Sequence, residues 1–290
     1  MLKFKKCAHW YLLGAFLLSA AVIWQAASST GARAGSLTLF VFDIGQGDAI
    51  FIESPSGNQI LVDGGPDDAL PARLSEVMPF WDHSIDLIVL THPHADHLDG
   101  LLAVLKRYDV GMVLESGVNH TIPEYGEWAS ELARRRITRV VGRRGQLVRL
   151  GGGAALRVLA PFRDYDGASV KNVHEATLVT ELVFASSTAL LMGDAEAALE
   201  RQIVASGDDL HAEVLKVGHH GSKTSTSAAL LAAVRPKFAV ISVGRKNRYG
   251  HPHQEVLDRL EAAGVRVFRT DRDGTTTFTS DGRQFTVRER

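Results

Sequence analysis

An apolar run, Asp86-Leu87-Ile88-Val89-Leu90, leads directly into Thr91-His92-Pro93-His94-Ala95-Asp96-His97. Three imidazoles and a carboxylate crowded at a strand end constrain this chain more than any other segment. Together those groups suit a divalent ion such as Zn²⁺, Mn²⁺ or Fe²⁺. In extended chain His92 and His94, two apart, share one direction, while Asp96 and His97 can turn towards a second point. Pro93 stiffens the segment. A helix expected from about Asp99-Gly100 would aim its first N–H groups back at the cluster.

The rest of the chain decides which further ligands are available. Cys7 is the only cysteine, which excludes a disulfide framework and any cysteine-based zinc module. A metal must therefore be held by His, Asp and perhaps Asn. Three other polar points fall where apolar runs end or begin: His174 in Asn172-Val173-His174-Glu175, Asp194 in Met192-Gly193-Asp194, and His219-His220 in Lys216-Val217-Gly218-His219-His220-Gly221-Ser222. Alone, Asp194 reads equally well as a helix N-cap, and His174 as an ordinary surface or core histidine. Their recurrence beside β runs makes them candidate ligands.

Strand-like runs cover 37–42, 49–53, 59–63, 86–90, 110–114, 137–141 and 155–159 in the first part. Residues 99–108 and the stretch from Pro123 through Trp128 and Leu132 read as helices. The second part alternates strands at 177–184, 188–192, 213–217, 238–243 and 265–269 with helices at 195–203, 225–233 and 253–262. Runs at 275–279 and 284–287 close the chain. No Pro-, Gly- or Ser-rich linker divides it, and two β-then-α halves suggest an α/β, four-layer αββα sandwich. Glu200 reads as part of a solvated helix face.

The N-terminus is a separate object. Lys3, Lys5 and Lys6 precede an apolar stretch from Trp10 to Ala27, followed by a small and polar segment ending in Ala32-Arg33-Ala34. This order predicts a signal peptide over 1–34 cut after Ala34, or an uncleaved membrane anchor. Either would place the remainder outside the cytoplasm, secreted, periplasmic or membrane-attached. Formal net charge is −1, and residues 35–290 carry 28 basic against 33 acidic residues. No global positive field advertises nucleic-acid binding, so a polyanion would need a local patch or the metals themselves.

The histidine cluster, the strand-end His174, Gly193-Asp194 and the later histidines resemble the metallo-β-lactamase superfamily. Phe42-Asp43-Ile44-Gly45-Gln46-Gly47-Asp48-Ala49-Ile50, Leu61-Val62-Asp63-Gly64-Gly65, Leu215 to Ser225 and Asn247-Arg248-Tyr249-Gly250-His251-Pro252 resemble, more narrowly, the hydrolase-like domain of the ComEC-type competence proteins. The resemblance covers about residues 37–280. It implies a single metallo-β-lactamase-like domain over 35–290 and two divalent ions, zinc or manganese. By the same resemblance His92, His94 and His174 would hold one ion, Asp96, His97 and His219 the other, and Asp194 would bridge them. Asn172 competes with His174 for its place. Asp63 resembles the position beneath the metals that would hold a ligand imidazole, with an Asx-turn as the alternative.

Such a pair would activate a water for hydrolysis, with Asp96 orienting it. His220, Ser222, Lys223 and Thr224 offer one set of anion contacts. Arg245, Lys246, Asn247, Arg248 and His251 offer another, and His251 is a candidate proton donor to the leaving oxygen. The expected activity is a phosphodiesterase or nuclease acting on a phosphoester or nucleic acid. A β-lactam or lactone hydrolase, and a non-catalytic binding module of the envelope or of a membrane DNA-uptake partner, are the alternatives.

Overall fold

Alternation along the strands fixes the layers. In β2 (Ile50–Glu53) Ile50 and Ile52 face one core and Phe51 another; in β3 (Gln59–Val62) Ile60 and Val62 oppose Leu61, and in β4 (Ser84–Leu90) Leu87 and Val89 oppose Ile88 and Leu90. Strands that are apolar on both faces need a cover on each side. The computed structural model, which describes residues 11–19 and 35–288, supplies it with two sheets face to face and helices outside.

The first sheet runs β15-β14-β1-β2-β3-β4-β5-β6 and adds β1 (Leu37–Val41), β5 (Asp109–Glu115), β6 (Thr138–Val141), β14 (Thr276–Ser280) and β15 (Phe285–Val287). The second runs β13-β12-β11-β10-β9-β8-β7: β7 (Leu147–Gly151), β8 (Ala154–Ala160), β9 (Val179–Phe184), β10 (Ser187–Leu191), β11 (Val214–Lys216), β12 (Phe238–Ile241) and β13 (Arg266–Arg269). Leu39, Ile52, Val62 and Val89 meet Leu156, Leu182, Leu191 and Val240 between the sheets. Outside the first sheet pack α2 (Leu70–Ser75), α3 (Ala95–Arg107) and α4 (Pro123–Arg135), burying Leu101, Leu105 and Trp128. Outside the second lie α5 (Ala197–Ala205), α6 (Ala228–Val234) and α7 (Gln254–Ala262), with Leu199, Leu230 and Leu260. This is the αββα sandwich that the alternation of elements implied; a short α8 (Thr270–Asp273) follows β13.

Three sequence expectations change. The last two strands return to the first sheet, β14 pairing antiparallel with β1, so the halves are not independent repeats. Helix α3 begins at Ala95, with His94 as its N-cap residue, which puts Asp96 and His97 in the first turn rather than in a loop. Glu200 is fully buried instead of solvated: its carboxylate accepts the backbone N–H groups of Thr226 and Ser227 at the turn into α6.

The expected N-terminal membrane attachment is also corrected. Among the described residues no helix is long and apolar enough to cross a membrane. The described helical stretch 11–19 is α1. Among the described residues the expected anchored, extracytoplasmic location thus has no spanning helix behind it. The rest of the leader, with the cut expected after Ala34, lies outside the described residues.

Candidate metal centre

In the parallel parts of both sheets, β3-β4-β5-β6 and β10-β11-β12-β13, the strands leave their C-terminal ends at one edge of the sandwich. The loops there bring the polar points together. Asp194 follows β10 and stands at the centre. Its Oδ2 lies 3.7 Å from His92 Nε2, 3.9 Å from His174 Nε2 and 3.8 Å from His219 Nε2. Its Oδ1 lies 3.3 Å from His97 Nε2 and 3.6 Å from His220 Nε2. His94 Nδ1 stands 3.0 Å from His92 Nε2 and 3.3 Å from His174 Nε2. One group able to hold an ion is thus His92, His94, His174 and Asp194; another is Asp96, His97 and His220, with Asp96 Oδ2 at 3.3 Å from His220 Nε2.

Buried atoms without partners show that these residues fit metal ions. His97 Nε2, Asp194 Oδ1 and His220 Nε2 are sealed from solvent and make no hydrogen bond. Leaving such groups unsatisfied costs about 1–3 kcal/mol each, and a shared cation removes that cost.

The outward ring nitrogens explain why these particular atoms face the centre. His97 Nδ1–H donates to Asp63 Oδ2 at 2.7 Å, and His220 Nδ1–H to the Ser242 carbonyl at 3.1 Å. Thr91 Oγ1 donates to Asp63 at 2.7 Å and so accepts from His92 Nδ1 at 3.0 Å. In each case Nε2 is left pointing inward, where it becomes a ligand once that nitrogen carries no proton. Glu196 Oε1 stands 3.6 Å from His174 Nδ1 and 3.4 Å from His219 Nδ1, while its carboxylate accepts from Thr224 and Asn172. Asn172 is therefore engaged with Glu196 and with the backbone N–H of His174, and it is His174 that reaches the cluster.

The structure differs from the expected division of labour at three places. His220, expected among the anion contacts, is buried with Asp96 and His97, whereas His219, expected as the ligand, groups with His174 and Glu196. Both have left-handed backbone, φ 47° and 54°, which turns consecutive side chains in directions that extended-chain reasoning does not give. Asn247 spends its amide on its own loop, donating to the Gly244 and His251 carbonyls and accepting the His251 N–H. His251 is pushed down to about 4 by burial and by neighbouring His220 and His219, so it is neutral near pH 7 and has no proton to give. Lys223 and Arg248 are exposed at the rim.

Two residues, Asp48 and Lys216, tie the sheets together beneath the centre; of these, Lys216 is not singled out by the sequence. Lys216 of β11 is buried, and its Nζ donates to Asp48 Oδ2 at 2.8 Å and to the Val217 carbonyl. The other Asp48 oxygen lies 3.4 Å from His220 Nδ1. The turn before Asp48 needs glycine: a Cβ on Gly47 would meet the Asp96 carbonyl at 2.2 Å.

Charge divides the two groups. Burial, then His97, pushes His92 well down, and burial with His174 takes His94 to about 4. Burial also opposes charge on His97 and His220, yet carboxylates overcome it. Asp194, Asp63 and Asp96 hold His97 well up, and Asp194, Asp48 and Asp96 lift His220 to about 10. Asp194 is held well down by His97 and His220 against its own burial. Two grooves, about 440 Å³ between α6 and α7 and about 390 Å³ beside α4, contain none of these residues. Donor chemistry, not concavity, locates the site.

The metallo-beta-lactamase superfamily matches residues 42–245. ComE operon protein 3 of Bacillus subtilis is 33% identical over 254 residues, covering 81% of this chain and 32% of that protein. Recombination protein 2 of Haemophilus influenzae is 34% identical over 224 residues, 75% of this chain and 26% of its own length. The chain thus spans about a third of the length of the curated relatives it matches. Among solved structures, the diiron beta-hydroxylase CmlA from Streptomyces venezuelae superposes with a TM-score of 0.54 at 15% identity, over 83% of this chain and 53% of that one. That likeness concerns the fold alone.

Proposed function

The chain belongs to the metallo-beta-lactamase superfamily, and from that premise we propose that it is a metal-dependent phosphodiesterase or nuclease. The fold and the clustered histidines and aspartates support a metal-dependent hydrolase. The observation that carries the finer reading is the pairing of two donor groups around Asp194 with exposed cations, Lys223, Lys246 and Arg248, at the same edge. Relatives named for competence and recombination favour a nucleic-acid substrate over a lactam.

His92, His94 and His174 would hold one divalent ion, Zn²⁺ or Mn²⁺, and Asp96, His97 and His220 the other, with Asp194 facing both. When bound, such a pair supplies an acidified water and positive charge for the oxygens of an in-line displacement. Asp63, Thr91 and the Ser242 carbonyl hold the imidazole protons on the outer nitrogens, so the inner ones stay available. Asp96, half-buried and held below the usual carboxylate range by His97 and His220 despite its burial, stays ionised and would orient the attacking water by accepting its hydrogen bond. Lys223 and Arg248 place a phosphate by charge-assisted hydrogen bonds.

The test is metal analysis of the full chain with hydrolysis assays on a nucleotide diester, single-stranded and duplex DNA, and a β-lactam. Two equivalents of metal and chelator-sensitive diester cleavage are expected. Lactam opening without diester cleavage overturns the substrate assignment, and retention of all cleavage in chelator overturns the metal.

A further inference from the structure

The loop between β12 and α7 presents a large aromatic ring to solvent beside the metal centre. Tyr249 is 66% exposed, yet its ring stacks on His251 with centroids 5.6 Å apart and planes 25° apart. The His251 ring in turn lies 5.8 Å from that of His219 and 6.4 Å from that of His220. One face of Tyr249 is thus backed by an imidazole two ring steps from the proposed metal donors, and most of its surface is open.

The platform is held in place rather than dangling. Asn247 closes the loop with its three amide hydrogen bonds, and the Gly244 N–H donates to Gln46 Oε1 on the β1–β2 loop of the other sheet. A ring fixed before its ligand arrives loses little side-chain freedom on binding. Three exposed cations, Arg245, Lys246 and Arg248, precede the ring in the same loop. An open aromatic face in a loop that also carries exposed cations, next to a centre that would act on a phosphate, matches the chemistry of a nucleotide strand: a base for the ring and phosphates for the cations.

We propose that Tyr249, backed by His251, is a nucleobase-stacking subsite that selects single-stranded nucleic acid, with one unstacked base beside the phosphate placed at the metals. This rests on the phosphodiesterase reading and narrows its substrate. A duplex keeps its bases stacked inward and offers no free face, so the subsite discriminates against it. One platform is sequence-tolerant, since every base has a π-face.

The test compares binding of two single strands of equal length and charge, one of thymidine nucleotides and one abasic, to the full chain in chelator by fluorescence anisotropy. The wild-type protein should prefer the thymidine strand about tenfold, as expected for one base on one aromatic ring. Tyr249→Phe should keep that preference, while Tyr249→Leu and Tyr249→Ala should reduce it to about one. No preference in the wild-type protein, or a preference retained in Tyr249→Ala, overturns the stacking subsite whether or not strands are cleaved. A preference lost in Tyr249→Ala, while metal-loaded wild-type protein cleaves no diester, supports the subsite and overturns the phosphodiesterase reading instead.

Discussion

The two donor groups around Asp194 both rest on imidazoles, three in one and two with Asp96 in the other, and differ in what stands behind the rings. Behind His92 and His94 there is a hydroxyl and another imidazole; burial and like neighbours leave both neutral. Behind His97 and His220 stand Asp63 and Asp48, with Asp96 beside them, and Asp194 together with these carboxylates favours the protonated form of both rings in the metal-free protein. An imidazole in a buried site is therefore a ready ligand or a cation awaiting displacement according to how many carboxylates surround it, behind as well as in front.

The largest expected consequence is in pH. Metal entering the first group meets neutral His92 and His94, whereas metal entering the second must expel protons from His97 and His220. Affinity for the second equivalent should therefore rise more steeply with pH than affinity for the first, by about tenfold per unit for each extra proton released. Titration calorimetry in two buffers of different ionisation enthalpy measures this directly. Equal proton release by both equivalents would erase the distinction. In the metal-free protein the sign is opposite. Raised pKa values on His97 and His220 stabilise the fold fully below about 6.5, and that contribution is lost as pH rises through their folded values, about 10 for His220. Thermal stability without metal should thus decline on the alkaline side and be restored by zinc.

Next in size is the split between neighbours. His220→Ala should abolish the second equivalent and lower diester hydrolysis roughly 10³-fold, several kcal/mol of charge stabilisation being lost with the ion. His219→Ala should retain both equivalents. Metal content after exhaustive dialysis decides it, and a second equivalent surviving in His220→Ala but not in His219→Ala would reverse the assignment. Behind this pair, Asp48→Ala leaves Lys216 charged and unpaired between the sheets, which should cost about 3–5 kcal/mol in denaturant unfolding. The double change with Lys216→Met should recover much of it, because no buried charge then remains.

The layers and the site's neighbourhood were legible because they depend on period and position. Strict alternation in β2, β3 and β4 marks faces, and polar residues after apolar runs mark strand ends; both survive without tertiary information. What escaped depends on contacts far apart in sequence. Lys216 reads as a solvent residue until Asp48, 168 positions away, is seen beside it. Glu200 has the spacing of a surface acid, but the N–H groups that bury it belong to the Thr226 turn. The choice between His219 and His220 turned on two left-handed residues whose side chains carry no signal for that backbone. Tyr249 stood in a quoted motif, yet only the ring beneath it and the open face above give it a role.

The smallest expected effects come from the carboxylates that hold imidazoles by their outer nitrogens, and they should rank by geometry. Asp63 is buried, accepts His97 Nδ1–H at 2.7 Å and is further pinned by the Thr91 backbone N–H at 2.8 Å. Glu196 is about a quarter exposed and stands 3.6 Å from His174 Nδ1, a distance at which water competes. Outer partners of metal-bound histidines typically change affinity 10- to 100-fold, so Asp63→Asn belongs near about 100-fold on the second equivalent and Glu196→Gln near about 10-fold on the first. The cross terms discriminate: Asp63→Asn should barely touch the first equivalent, since it reaches His92 only through the Thr91 hydroxyl. Equal losses on both equivalents from either change would mean that Asp194 couples the two sites so tightly that they fill as one unit.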